Sequence, residues 1–134
     1  MKLDFTNEMV FSFNGPNLCL LGNTEEFKLL ALAILDLTIP KAQNSINLTM
    51  LDFIERVGDE IEVIFCSKPH SNKLGILNGN GLLFELDDRY WERIFKYFVM
   101  MSWNMRTYYL NEYEDCLSDL ELKQECNFIC SSEF

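Results

Sequence analysis

The amino-acid sequence predicts an α+β fold in which a mostly antiparallel sheet carries two main helices on one face. Three observations lead to this prediction. Two amphipathic segments each have a marked helix start, a short apolar strand precedes each of them, and turn residues separate the other apolar stretches into short strands. The chain of 134 residues is long enough to bury a core and is predicted to form a single domain, residues 1–134.

The first helix is predicted to run from Thr24 to Thr38. Asn23 is a favourable N-cap residue, and Glu26 follows three positions later, which is the spacing of a capping box. Pro40 disfavours the helical conformation at the residue before it, so the helix ends just ahead of it.

The second helix follows Asp87, a good N-cap, and Asp88 adds negative charge to the first turn. Its apolar residues recur at helical spacing: Trp91, Ile94, Phe95, Phe98 and Met101. Both helices are apolar beyond a single stripe. We therefore expect the two helices to pack on each other as well as on the sheet, and a dimer contact is the alternative.

The two strand-helix-strand segments have similar patterns. Setting Asn23 against Asp87 superposes the apolar positions of both helices at an offset of 64 residues. Leu51 then aligns with Leu110 if the first connection is five residues longer. The pattern is compatible with two related β-α-β halves, residues 18–53 and 81–113, and equally with two unrelated helices that cover parts of one sheet.

The remaining elements are predicted from alternation and turn chemistry. Strands are predicted at Lys2 to Thr6, Met9 to Phe13, Leu18 to Leu21, Ile46 to Phe53, Glu60 to Ser67, Leu74 to Leu77, Gly81 to Leu86 and Arg106 to Asn111. Gly58 and Asp59 indicate a turn, and Gly79 and Asn80 indicate a hairpin turn. Residues 114–134 are compatible with a short helix or an edge strand.

The net charge of −10 argues against binding to nucleic acid and to anionic membranes, since both need clustered Lys and Arg. No apolar run approaches the length of a membrane span, and the first residues lack the apolar region of a signal peptide. Five cysteines, an odd number, are typical of reduced thiols. The sequence therefore predicts a cytoplasmic protein.

The sequence contains no recognisable catalytic arrangement. His70 is the sole histidine and lies in a polar loop, and Cys66 precedes it at a spacing that lacks the paired ligands of a zinc site. Asp87 and Asp88 are explained as helix-capping residues. We predict that the protein is not an enzyme and that it uses no cofactor and no metal.

Acidic residues are concentrated after Thr107, where seven Asp and Glu residues accompany one lysine. An acidic face of this kind attracts a basic partner, and tyrosine gives it a large contact area with a polar end. The predicted partner-binding residues are Tyr108, Tyr109, Glu112, Tyr113, Glu114, Asp115 and Asp119. The alternatives are that the segment only promotes solubility and that the tyrosine facing the helices belongs to the core.

The segments LLGNTEEFKLLALAIL and LLFELDDRYWERIF, with Leu51-Asp52 after the first, resemble immunity proteins of bacterial polymorphic toxin systems. The resemblance implies a non-enzymatic inhibitor that binds one cognate toxin, often a basic nuclease, and it transfers no binding residues by motif. The alternative function is a homodimeric structural or regulatory subunit that associates through its apolar helices, with Val99 and Met100 in the contact.

Overall fold

The computed structural model of the protein describes residues 1–10, 13–39, 44–110 and 122–133. Within these residues the chain forms ten strands and two helices. No helix in this part of the chain is both long enough and apolar enough to cross a lipid bilayer.

The elements follow one another in this order: β1 (Lys2–Thr6), β2 (Asn17–Leu21), α1 (Thr24–Thr38), β3 (Ser45–Asn47), β4 (Glu55–Gly58), β5 (Glu62–Ser67), β6 (Asn72–Asn78), β7 (Gly81–Leu86), α2 (Asp88–Met101), β8 (Thr107–Tyr109), β9 (Lys123–Gln124) and β10 (Asn127–Ser131). A 3-10 turn, Leu48–Met50, lies between β3 and β4. The predicted α+β class is confirmed.

α1 begins and ends where the sequence predicts. The Asn23 side chain accepts a hydrogen bond from the Glu26 backbone N–H at 2.8 Å, and the Asn23 backbone N–H donates to Glu26 Oε1 at 3.0 Å. This reciprocal capping box satisfies two of the N–H groups that a helix start leaves unpaired.

α2 begins after Asp87, whose side chain accepts a hydrogen bond from the Arg89 backbone N–H at 3.2 Å. Trp91 on its inward face is fully buried. The indole N–H of Trp91 donates to the Cys66 carbonyl at 2.9 Å. The ring centroids of Phe27 and Phe98 lie 5.8 Å apart. The first half of α1 therefore packs on the last half of α2, and the predicted helix-helix packing is confirmed.

The strands form two five-stranded sheets. Sheet A has the order β4-β1-β2-β10-β8, and sheet B has the order β3-β5-β7-β6-β9. The antiparallel neighbours are β1 with β2, β8 with β10, β3 with β5, and β6 with β7. The parallel neighbours are β1 with β4, β2 with β10, β5 with β7, and β6 with β9. Both sheets are therefore mixed.

The two sheets have the same internal plan. If β1, β2, α1, β3, β4 and β5 are matched in order with β6, β7, α2, β8, β9 and β10, every strand pairing in sheet A has a counterpart of the same direction in sheet B. Each sheet takes three strands from one half of the chain and two from the other, so neither half contains a complete sheet. A gene duplication stays a prediction.

The strand register corrects one detail of the predicted repeat. Ser45 in β3 and Thr107 in β8 hold equivalent places, 62 positions apart, whereas the helix caps Asn23 and Asp87 are 64 apart. The first helix-to-strand connection is thus two residues longer, not five. Leu48, rather than Leu51, is the counterpart of Leu110, and both are fully buried.

An aromatic cluster at the centre of the core joins the two halves. Phe65 on β5 lies 5.1 Å from Phe84 on β7 and 4.9 Å from Trp91 on α2, measured between ring centroids. Phe128 on β10 completes the cluster at 4.9 Å from Phe84. The described residues share this one hydrophobic core.

Some predicted strands differ from the observed ones. The stretch Ile46 to Phe53 contains only the short β3 before the 3-10 turn, because the Asn47 side chain accepts from the Thr49 backbone N–H and starts the turn. The stretch Met9 to Phe13 shows an isolated bridge between Val10 and Phe13, with residues 11–12 outside the described part.

Candidate interaction surface

β8 forms one edge of sheet A within the described residues, and its two tyrosines point to opposite sides of the sheet. Tyr108 is only 8% exposed, and its ring packs edge-on against Tyr97 of α2 at 4.7 Å. Arg106 donates to its hydroxyl at 3.3 Å. Tyr108 is therefore a core residue, as the alternative for the tyrosine that faces the helices expects, because alternate side chains of a strand face opposite sides. Its role in partner binding stays a prediction.

Tyr109 lies on the side of sheet A that faces away from the helices. It is half-buried, and its ring packs against Phe13 with centroids 5.2 Å apart. On this side Cys19 and Ile129 are almost completely buried. On this side of sheet A, Cys19 and Ile129, the strand partner of Tyr109, are thus shielded from solvent, whereas Tyr109 keeps part of its surface exposed.

Phe13 belongs to the connection between β1 and β2, of which residues 7–10 and 13–16 are described. A buried asparagine holds a carbonyl group on either side of the gap. Asn17, fully buried, donates from its side-chain nitrogen to the Glu8 carbonyl at 2.9 Å and to the Phe13 carbonyl at 3.1 Å. Asn127 on β10 donates to the Asn17 side-chain oxygen and to the Asn14 carbonyl, both at 2.9 Å. The Phe13–Tyr109 pair is therefore positioned before any partner binds.

The tightness of this connection is also visible at Gly15. A Cβ atom at this position would lie 2.2 Å from the Asn7 carbonyl oxygen, closer than any real contact. Only glycine allows the two backbone segments to approach this closely. The alternation of Met9 to Phe13 predicts a strand, and it gives no sign that Phe13 packs against Tyr109 on the outer side of sheet A.

The other predicted contact residues are Glu112, Tyr113, Glu114, Asp115 and Asp119. They lie outside the described residues. They follow β8 directly along the chain, and Tyr109 is the predicted contact residue that the structure places at a surface.

A second surface lies on the outer face of α1. Leu29, Leu32 and Leu35 are 39%, 50% and 40% exposed. Val99 and Met100 of α2, the residues predicted for a dimer contact, are half-buried. The exposed apolar helix surface therefore belongs mainly to α1.

Near this surface, the two helices form a groove of about 420 Å³. Leu32 and Lys28 line it from α1, and Phe95 and Val99 line it from α2. Trp103, just beyond α2, also lines the groove and is 82% exposed. Trp91, by contrast, is a core residue, so the two tryptophans have different environments.

The polar residues between β5 and β7 have structural roles. The His70 backbone N–H donates to Asp87 Oδ2 at 3.0 Å, and the Ser67 hydroxyl donates to Asp88. Hydrogen bonds from the backbone N–H groups of His70 and Arg89 hold the pKa of Asp87 below its ordinary value. These contacts fix the turn before β6 to the start of α2, and they are additional to the predicted capping role of Asp87.

The described cysteines are free thiols: Cys19, Cys66, Cys126 and Cys130. Burial raises the pKa of Cys19 to about 11 and that of Cys126 to about 12. Thiols with such pKa values stay protonated near neutral pH and are poor nucleophiles and metal ligands. Among the described residues, no three His, Cys, Asp or Glu side chains are grouped as metal ligands would be.

The chain matches no protein-family model, no curated protein and no solved structure.

Proposed function

We propose that this protein is a non-enzymatic, cytoplasmic binding protein of the immunity type, which inhibits a basic toxin domain. The proposed binding surface combines Tyr109, supported by Phe13, with the acidic segment of residues 112–119. The observation that carries the proposal is the Phe13–Tyr109 pair, fixed at the edge of sheet A immediately before that acidic segment.

A rigid aromatic anchor suits an inhibitor. Asn17 and Asn127 hold the connection that carries Phe13, so little conformational entropy is lost at Phe13 when a partner binds. Tyrosine contributes a large contact area and a hydroxyl that stays at the rim of the interface.

The charge distribution gives the second step of the mechanism. The chain has a net charge of −10, and four acids, Glu112, Glu114, Asp115 and Asp119, follow β8 within ten residues of Tyr109. Long-range attraction would speed the encounter with a basic toxin, and burial of the aromatic anchor would then slow dissociation. An inhibitor that acts by covering a toxin's active site needs no catalytic group of its own.

The test is affinity capture from the native host with the tagged protein as bait, at low and at high salt. We expect a basic protein that is retained at low salt and weakened by salt. A Tyr109→Ala bait should retain much less of it, while a Trp103→Ala bait, which also removes an exposed aromatic side chain, should retain the wild-type amount. Capture of no basic protein, or equal loss with both variants, would reject the proposal.

A further inference from the structure

The outer face of α1 is apolar although the fold does not require it. Its three exposed leucines, Leu29, Leu32 and Leu35, point away from the core, which α1 contacts through Phe27, Leu30, Ala31, Ile34 and Leu37. A helix with one buried face normally carries polar residues on the other. These leucines contribute to neither the core nor the capping of α1.

The matching helix α2 shows what the same position in the fold tolerates. At the 64-residue offset, Leu29 corresponds to Arg93 and Leu32 corresponds to Lys96. The residue on α2 that matches Leu32 is thus a charged, exposed side chain. Leu35 corresponds to Val99, which is apolar and half-buried. Because charges are accepted at the other two sites, Leu29 and Leu32 on α1 indicate a contact outside this chain.

The pattern on α1 is complementary to itself. Counting outward from Leu32, Leu29 and Leu35 lie three positions away on either side, and Lys28 and Asp36 lie four positions away on either side. All five side chains are exposed. If a second α1 packs antiparallel with Leu32 at the centre, each Lys28 comes to the level of the partner's Asp36.

Ordinary helix packing brings these residues together. Lys28, Leu32 and Asp36 form one ridge of residues spaced four apart, and the commonest class of helix crossing lays such ridges side by side. Two-fold symmetry makes the ridges run in opposite directions, so leucine meets leucine and lysine meets aspartate twice. The Lys28–Glu25 pair within the chain, at 3.9 Å between exposed side chains, is weak enough to be exchanged.

We propose that the outer face of α1 is the contact between two copies of this chain, paired antiparallel about Leu32. Self-complementary charge selects a second copy over an unrelated partner. A contact made mainly by one helix is smaller than the standard interface of about 800 Å² per partner, so the dimer should be weak, with a dissociation constant on the order of 1–100 μM.

This dimer is independent of the proposed toxin inhibition. Tyr108 contacts α2 from the inner side of sheet A, whereas Tyr109 lies on the outer side. The α1 contact therefore leaves the Tyr109 surface free, and a dimer would present two such surfaces.

The first test is analytical ultracentrifugation of the full chain over a wide concentration range. We expect a reversible change from the 15.7 kDa monomer to twice that mass. Leu32→Glu should raise the dimer dissociation constant roughly 100-fold, because two carboxylates would meet at the axis. The matched control, Lys96→Glu on α2, should leave it within about threefold of the wild type.

The second test exchanges the charges. Lys28→Glu and Asp36→Lys should each weaken the dimer roughly fivefold to tenfold, because each creates like-charge pairs, and the double variant should recover to within about twofold. Circular dichroism confirms that each variant is folded.

Three results would overturn the proposal. They are a monomer at all concentrations up to about 1 mM, a dimer that Leu32→Glu leaves intact, and a double charge variant as weak as the single ones. Each outcome is independent of whether a toxin partner is found.

Discussion

α1 and α2 occupy matching places in the two halves, and four pairs of their inward residues match while their outward residues differ. Their inward residues at the 64-residue offset are buried in both helices: Phe27 with Trp91, Leu30 with Ile94, Ile34 with Phe98 and Leu37 with Met101. Of their outward residues, Leu29 and Leu32 on α1 match Arg93 and Lys96 on α2, whereas Leu35 matches the half-buried Val99. The core thus determines which residues the inward sides carry. The outward sides are not constrained by the core, so their residues indicate contacts with other molecules.

The inward match can be tested by removing the largest side chain from each helix. Trp91→Ala should lower the free energy of unfolding by about 4–5 kcal/mol, since it empties the aromatic cluster and leaves the Cys66 carbonyl without its indole donor. Phe27→Ala should lower it by about 3 kcal/mol. Urea unfolding followed by circular dichroism measures both.

The control for these variants is Trp103→Ala, which removes an exposed tryptophan and should change the stability by less than about 0.5 kcal/mol. An equal loss at Trp103 and Trp91 would contradict the assignment of Trp91 to the core.

The connections between the first two strands of each half differ more than the helices. Gly15→Ala in the long connection should cost about 3 kcal/mol, because its Cβ would overlap the Asn7 backbone. Gly79 in the short β6–β7 turn has open space for a Cβ atom, but its left-handed φ of 59° is unfavourable for alanine. Gly79→Ala should therefore lower the free energy of unfolding by about 1 kcal/mol. Thermal unfolding measures both variants. If the long connection were loosely held, Gly79→Ala would destabilise the protein more than Gly15→Ala.

The two helix caps differ in charge, and this predicts different responses to acid. Asp87 has a lowered pKa in the folded protein, so its stabilisation is complete above the unfolded value near 3.8 and is lost as the pH falls through the lower folded value. Asp87→Asn should still accept the capping hydrogen bonds. It should remove this pH-dependent part of the free energy of unfolding, which is about 1 kcal/mol or less.

Asn23, the neutral cap of α1, provides the matched comparison. Asn23→Asp should add acid sensitivity below pH 4 that the wild-type α1 cap lacks, because an ionised cap is stabilised at the helix start. Unfolding free energies measured from about pH 2 to pH 6 test both variants. Identical pH profiles for Asp87→Asn and the wild type would show that Asp87 is not a folded-state acceptor.

The last comparison separates the buried thiols of Cys19 and Cys126 from the half-buried thiol of Cys66 on sheet B. Cys19 and Cys126 keep their protons up to about pH 11 and about pH 12 in the folded protein, whereas unfolded thiols ionise near 9.0. Stability should therefore be unaffected below pH 9 and should fall as the pH rises from there toward 11 and 12.

Native-state labelling with a thiol reagent provides the direct comparison. Cys66 on sheet B is half-buried and should react before Cys19 and Cys126, which are 3% and 2% exposed. Faster labelling of Cys19 would show that the outer side of sheet A is open.

The sequence predicted the parts of the fold that local chemistry decides. Asn23 with Glu26, and Asp87, mark helix starts through contacts within three residues, so both helices were located correctly. The strand predicted at Glu60 to Ser67 is observed at Glu62–Ser67, and the one predicted at Gly81 to Leu86 has those bounds, because their residues alternate. Gly79 and Asn80 close a hairpin with ordinary turn chemistry.

The parts decided by distant contacts could not be predicted. β10 pairs with β2 across more than a hundred residues, and no local pattern specifies this partner. β4, with the sequence ERVG, is largely polar because it lies at a sheet edge, so it lacks the alternation of a strand. Which side of β8 faces the core is also decided by distant contacts. The sequence therefore predicted both Tyr108 and Tyr109 as contact residues, although the alternation of the strand leaves only Tyr109 at a surface.

The most direct test of the proposed function measures how two sets of charge reversals change the dissociation constant for the captured basic partner. Glu112→Lys, Glu114→Lys and Asp115→Lys together should raise the dissociation constant by roughly 100-fold or more. The control set, Asp52→Lys, Asp59→Lys and Glu60→Lys, changes the net charge equally at exposed positions elsewhere and should raise it less than about fivefold. Equal weakening by both sets would contradict a localised acidic binding surface and leave only a non-specific charge effect.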